Sequence, residues 1–362
     1  MQFLTDLVVA IITAYLAFTN QLADKIIDIL PSSDKEGVVE ESDSAKLNPL
    51  PTKLSNKSLP DILLRSAAYQ RASAITAIDP NQVYAENPTD ALVNIFCTFI
   101  TETTIRTTTG SGFFIHNDGV ILTNAHVAQY LLLGSTDILG EAECIVRQGN
   151  PAEPKYLAEL LYIPPTWVQE NAGLINDAEP IGTGERDYAL LYVTKAINNK
   201  PLPETFPTLA FDADLLPRTI TNKEVTAVGY PAGSLLRSGP STNLLPVSSN
   251  TTISELYTFG SNYADVFSIR GSQVGEEGSS GGPILNKDGS VIGIIVTRGD
   301  DARDGAGSLR AITTSYIHRT ILEETGFSLA RNVSGNLASR AEIFANTLAP
   351  FMINLLSKEI LN

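Results

Sequence analysis

Apolar residues in this chain fall mostly in short runs separated by polar or Gly/Pro-containing turns. Residues 91–100, 112–115, 120–123, 189–193, 225–229 and 291–296 are such runs. Each has strand length and is bounded by turn formers. Many short strands with few helices predict an all-β barrel or sandwich. Helical periodicity is confined to the flanks. Over residues 61–78, Ile62, Leu63, Ala67, Ala74 and Ile78 share one face. Over 314–325, Ile317, Ile321 and Leu322 do the same, with Gly326 as a stop signal. Residues 340–361 carry Ile343, Phe344, Leu348, Phe351, Met352, Leu355, Leu356 and Ile360 at helical period, and Pro350 should kink that helix. Packing on the domain, membrane association and self-association are all open to its apolar face.

Two segments near the start differ from the rest. Residues 7–18 form an apolar run that is short for a bilayer span of about 17–25 residues and suits a signal-peptide core better. Yet Asp6 stands where positive charge is usual, and Gln21 spoils the third position back from a cut after Ala23. An uncleaved membrane-associated helix, a removed signal and a soluble packing helix are all compatible with it. Residues 31–60 shift to Ser, Asp, Glu, Lys and Pro, too little apolar surface to offset ordering entropy. The expected organisation is therefore a hydrophobic helix over 1–30, a linker over 31–60 and a helical lead-in over 61–80. The main domain would occupy 81–330 and an amphipathic helix 331–362.

Composition narrows the function classes. At 362 residues and 43% hydrophobic content, the chain can bury a sizeable core. The net charge of −15 argues against nucleic acid, whose binding needs Lys and Arg to neutralise phosphate. Cys97 and Cys144, both in strand-like stretches, are too few for a disulfide scaffold or a metal site. One bridge or two separately buried thiols remain open. No zinc motif or phosphate-binding loop is present, so neither cofactor nor metal is expected. Asp300, Asp301 and Asp304 lack the ordered spacing of a calcium loop. Asn56, Asn250 and Asn332 each begin a glycosylation sequon.

Candidate chemistry centres on Gly278-Ser279-Ser280-Gly281-Gly282-Pro283 and, upstream, Thr123-Asn124-Ala125-His126-Val127. A serine hydroxyl is a poor nucleophile until an adjacent base takes its proton. Of the three histidines, only His126 sits on a small-residue turn that lets a base approach. His116 lies in a His-Asn-Asp-Gly turn and His318 in a helical segment. Asp187, in Arg186-Asp187-Tyr188-Ala189-Leu190-Leu191, is the best group to orient the imidazole. The order His, Asp, Ser is that of the chymotrypsin-type arrangement.

These motifs, with Gly110-Ser111-Gly112-Phe113-Phe114-Ile115 and Arg310-Ala311-Ile312, resemble the trypsin-like superfamily, and especially its bacterial HtrA-type branches. The similarity covers residues 90–325 in the family's order. It implies two six-stranded antiparallel β-barrels with a closing helix, flanked here by N- and C-terminal helices. Base and orienter would lie on the first barrel and the nucleophile on the second. It also implies serine endopeptidase activity on polypeptide substrates, with backbone N–H groups of Gly278 and Ser280 as the oxyanion hole. The primary pocket would be walled by Val274 and by Val296, Thr297 and Arg298, favouring aliphatic side chains unless Arg298 points inward. The 61 residues from His126 to Asp187 imply an enlarged loop between Cys144 and Gly184. Residues 326–362 are too few for the PDZ domain many HtrA-type proteins carry. An extracytoplasmic, membrane-anchored location is expected, with an inactive trypsin-fold binding protein and a membrane-surface adaptor as rival readings.

Overall fold

The structure, a computed structural model, describes residues 46–51, 62–74, 82–101, 105–134, 140–177, 182–233 and 243–361. The expected hydrophobic helix over 1–30 and the sequon at Asn56 lie outside these residues. Six strands form the first closed barrel: β2 (Leu92–Ile100), β3 (Ile105–His116), β4 (Val120–Thr123), β5 (Glu141–Gln148), β6 (Glu153–Tyr162) and β7 (Ala189–Ala196). Their order is β2-β3-β4-β7-β6-β5, and β2 against β5 shuts the ring. The second uses β8 (Glu224–Gly229), β9 (Val247–Thr258), β10 (Val266–Ile269), β11 (Pro283–Leu285), β12 (Val291–Arg298) and β13 (Leu309–Thr313). Here β8 pairs with β9 to close the sheet. All these pairings are antiparallel.

The burial pattern explains why strands rather than helices form. The first half of β3 is exposed to half-buried, whereas Gly110 to His116 is buried throughout: Ser111 meets the second barrel, and Phe113, Phe114 and Ile115 join the main hydrophobic cluster. β12 is buried continuously from Val291 to Val296, as expected of a strand covered on both faces. One hydrophobic cluster runs from the first barrel out to Phe344, Leu348, Met352 and Leu356. A second fills the other barrel around Val225, Ile253, Phe267, Ile284 and Ile295.

The flanks refine the expectations. Part of the segment expected as linker is a short strand, β1 (Leu47–Pro49), which pairs in parallel with β9. Leu47 packs on the second barrel's core, which holds this stretch against the sheet. The lead-in is helical in two pieces, Ile62–Arg65 and α1 (Ala67–Ala74). In place of the enlarged loop expected between Cys144 and Gly184 stand β6, α2 (Pro165–Asn171) and a 3₁₀ turn over Ala172–Asn176. Trp167, Val168 and Ile175 are buried there. Helix α3 (Thr314–Thr325) is capped at both ends: the Thr313 hydroxyl accepts from Tyr316 N–H, and Gly326 adopts a left-handed φ of 78°. The C-terminal helix breaks into α4 (Leu337–Thr347) and α5 (Ala349–Leu361). Pro350 falls in the first turn of α5, where its missing N–H costs no helical bond. The apolar face of both pieces packs on the domain. No helix among the described residues is long and apolar enough to cross a membrane.

Cys97 and Cys144 face each other across β2 and β5 and are bonded. The bridge thus ties the pairing that shuts the first barrel, and a link of this kind typically contributes about 2–4 kcal/mol. The lead-in and the C-terminal helices are joined by a buried polar knot. Arg340 is 1% exposed and donates to the carbonyl of Arg331, to Asn332 Oδ1 at 2.8 Å and to Tyr69 Oη at 3.2 Å. Tyr69 in turn donates to Asn332 Oδ1 at 2.6 Å. Asn332 is 1% exposed, so its sequon is closed to glycosylation in the folded chain. Tyr69→Phe should lower stability by about 1–3 kcal/mol in a denaturant titration, because two buried partners lose a bond. Unchanged stability would show that the knot is not holding α1 in place.

Candidate active site

β4 ends at Thr123, and the chain turns through Asn124 into a single helical turn, Ala125–Ala128, which carries His126. Asp187 sits on the turn leading into β7. Its carboxylate accepts two bonds from one residue, the backbone N–H of His126 at 3.0 Å and the ring Nδ1 at 2.7 Å. The Asn124 amide donates to the Asp187 carbonyl at 2.8 Å, so the two turns are laced together. The His126 side chain is 13% exposed and that of Asp187 7%. With Nδ1–H directed at the carboxylate, the assigned tautomer leaves Nε2 as the proton acceptor.

The Asp187 turn is clamped from behind. Arg186 adopts a left-handed φ of 55° and pairs with Glu324 at 2.5 Å and Glu323 at 2.8 Å on the last turn of α3. Glu324 also accepts from the hydroxyls of Thr166 and Tyr162. Burial opposes the Arg186 charge, yet the Glu324 carboxylate and further partners hold its pKa above the ordinary value. Tyr188 Oη lies 2.9 Å from Thr320 Oγ1. Gly184 has a φ of +86°, and a Cβ there would come within 2.8 Å of Val296. None of these partners could be assigned from motifs, because they lie more than a hundred residues away along the chain.

The loop that carries Ser280 belongs to the second barrel and reaches the first through Ser111, whose N–H donates to the Ser280 carbonyl at 2.7 Å. Gly278 has a φ of +92°, and a Cβ would lie 2.7 Å from both Ala232 Cβ and Tyr230 O. Only glycine fits that site. Among the described residues, the backbone N–H groups of Gly278 and Ser280 donate to no protein acceptor. Ser280 is half-buried, and its hydroxyl makes no hydrogen bond among those residues, to His126 or to any other group. Nucleophile–base contacts often tighten only with substrate bound.

The expected pocket residues are distributed unevenly. Val274 is fully buried and belongs to the second barrel's core, and Val296 packs on the Asp187 turn. Thr297 is half-buried. Arg298 is exposed and faces Glu277 at 3.8 Å, which puts its guanidinium at the surface. His116 is buried beside Asp118, away from the laced turns. Asp300 caps the short helix Asp301–Asp304, and Asp301 accepts from the Ser308 N–H and hydroxyl. Among the described residues, no cluster of His, Cys, Asp and Glu is arranged to hold a metal.

The model of the family described as trypsin-like peptidase domain matches residues 110–294, which include all three laced or loop-borne residues. The chain belongs to that family. Among solved structures, the Rv3671c protease of M. tuberculosis in its inactive form is 21% identical, covering 66% of this chain and 91% of that one, with a TM-score of 0.40. The active form of the same protease is 19% identical, covering 81% and 94%, also at 0.40. No curated protein sequence matches the chain.

In this trypsin-like peptidase, Tyr230 ties the two barrels together. Its N–H donates to Ser111 Oγ at 2.8 Å, and its hydroxyl donates to the Gly149 carbonyl at 2.8 Å. Burial pushes the phenol up to about 12, tempered by the Gly149 bond. A raised phenol stabilises the fold fully below its ordinary value of 10.0, and that contribution is lost as pH rises toward 12. Tyr230→Phe should cost about 1 kcal/mol at neutral pH and flatten the alkaline loss between pH 10 and 12. Denaturant titrations across that range check it, and an alkaline limb equal to that of the parent would contradict it.

Proposed function

We propose that this chain is a serine endopeptidase acting through His126, Asp187 and Ser280 with an acyl-enzyme intermediate. The observation that carries the reading is the pair of hydrogen bonds from His126 to the Asp187 carboxylate, together with a loop whose Gly278 and Ser280 N–H groups have no protein acceptor among the described residues. Ser280 Oγ attacks the peptide carbonyl while its proton passes to His126 Nε2. Asp187 holds the opposite ring nitrogen protonated and stabilises the imidazolium. The carbonyl oxygen, becoming an oxyanion, receives hydrogen bonds from Gly278 and Ser280 N–H. His126 then protonates the leaving amine, and water attacks the acyl-enzyme by the same route in reverse.

The substrate is polypeptide, and the side chain before the scissile bond is small and aliphatic. Arg298 is exposed and faces Glu277 at 3.8 Å, so no inward guanidinium selects acidic side chains, while Val274 backs the loop from within the core. The Cys97–Cys144 bridge suits an oxidising, extracytoplasmic compartment. Anchoring there is assigned to residues 1–30.

A fluorophosphonate probe should label the full chain at Ser280, located by peptide mapping, with no label in Ser280→Ala or His126→Ala. Asp187→Asn, of equal size, should lower kcat by about 10⁴-fold. A folded chain that takes no label would overturn the reading in favour of a binding protein on the same fold.

A further inference from the structure

Ser111 lies on the first barrel, is fully buried, and directs its polar atoms mainly at the nucleophile loop of the second. Its N–H donates to the Ser280 carbonyl at 2.7 Å. Its hydroxyl donates to the Gly278 carbonyl at 2.7 Å and accepts from the Tyr230 N–H at 2.8 Å. Its own carbonyl accepts from the Thr123 hydroxyl at 2.7 Å. We propose that Ser111 is a positioning residue for the oxyanion hole, steadying the loop that carries N–H groups it never touches. This rests on the acyl-transfer reading above.

In a trans peptide the carbonyl and the N–H point in opposite directions, so anchoring one aims the other. Four consecutive carbonyls of the loop are anchored. That of Glu277 is held by Ala232 N–H at 2.6 Å, and that of Ser279 by Gly282 N–H at 2.9 Å. Those of Gly278 and Ser280, between and beyond them, are both held by Ser111. Anchoring the Glu277 carbonyl aims the Gly278 N–H, and anchoring the Ser279 carbonyl aims the Ser280 N–H. Ser111 holds the carbonyl ends of the plane between them and the plane beyond, whose N–H ends donate to Glu276 O at 3.3 Å and Ile295 O at 2.8 Å, and so keeps the loop from turning and carrying those donors away. The Gly278–Ser279 plane needs this most, because Gly278 has no side chain to restrict rotation. Among the described residues the Ser111 hydroxyl is its carbonyl's hydrogen-bond donor. Ser111 and the loop sit on different barrels, so the donors are aimed only while the cleft is assembled.

The test uses the full chain and separates ground-state binding from transition-state binding. Ser111→Ala should lower kcat by about 10–10²-fold with KM within about threefold, since oxyanion donors act on the tetrahedral state. A peptide boronate, which forms a tetrahedral adduct on the serine, should lose affinity by a similar factor. Ser111→Cys keeps a weaker donor in nearly the same volume and should fall between parent and alanine. It also serves if the alanine variant does not fold. Ile292→Val, a core change in β12, provides a destabilised control that should keep its kcat. Equal kcat and boronate affinity in parent and Ser111 variants, with the parent active and labelled, would overturn this inference alone. So would a loss confined to KM, or an equal loss in the Ile292→Val control. A parent that neither cleaves nor takes the probe would remove the acyl-transfer reading, and this inference with it.

Discussion

The hydrogen bonds between β3 and the Gly278–Gly282 loop are what the rest of the site depends on. His126 and Asp187 belong to one closed sheet and Ser280 to another, so neither barrel holds the whole constellation. A hydrogen bond between buried backbone groups at 2.7 Å fixes the approach of the two sheets far more tightly than apolar packing alone. It is also expensive to break, since both groups would be stranded away from water.

On the first barrel, precision comes from charge held in place by burial. Asp187 is held close to His126 by two hydrogen bonds, and its turn is pinned by an arginine in a left-handed backbone conformation. That arginine answers to two glutamates on the helix that closes the chain's second barrel. Through Thr166 and Tyr162, the same glutamate draws in the insertion after β6. The insertion therefore packs behind the Asp187 turn as support, with Trp167, Val168 and Ile175 turned inward. The surface pair Arg298–Glu277 is a different case: both side chains are largely exposed, and screening leaves such pairs little energy.

Much of this arrangement was legible in the residues. The strands at 120–123 and 189–193, the capped helix at 314–325 and the break at Pro350 follow from local periodicity and turn chemistry, which act over a few residues. The pairing of His126 with Asp187 followed from chemical need and motif order. What could not be read depends on contacts distant in sequence. Leu47 sits in a polar stretch and becomes a strand only because β9 offers it an edge. Ser111 reads as one small residue in a Gly-Ser-Gly run until its partners 119 and 167 positions away are known. The bridge between Cys97 and Cys144 was open until β2 and β5 were found in register.

Proteolysis by this chain requires that Ser280 become covalently acylated in the cleft between the barrels. Rapid acid quench after mixing the chain with an activated peptide ester, followed by mass spectrometry of the digest, tests it most directly. The account predicts a transient acyl group on the peptide containing Ser280, absent after denaturation of the enzyme before mixing. Ester turnover with no acyl-enzyme, or an acyl group on a different side chain, would contradict it.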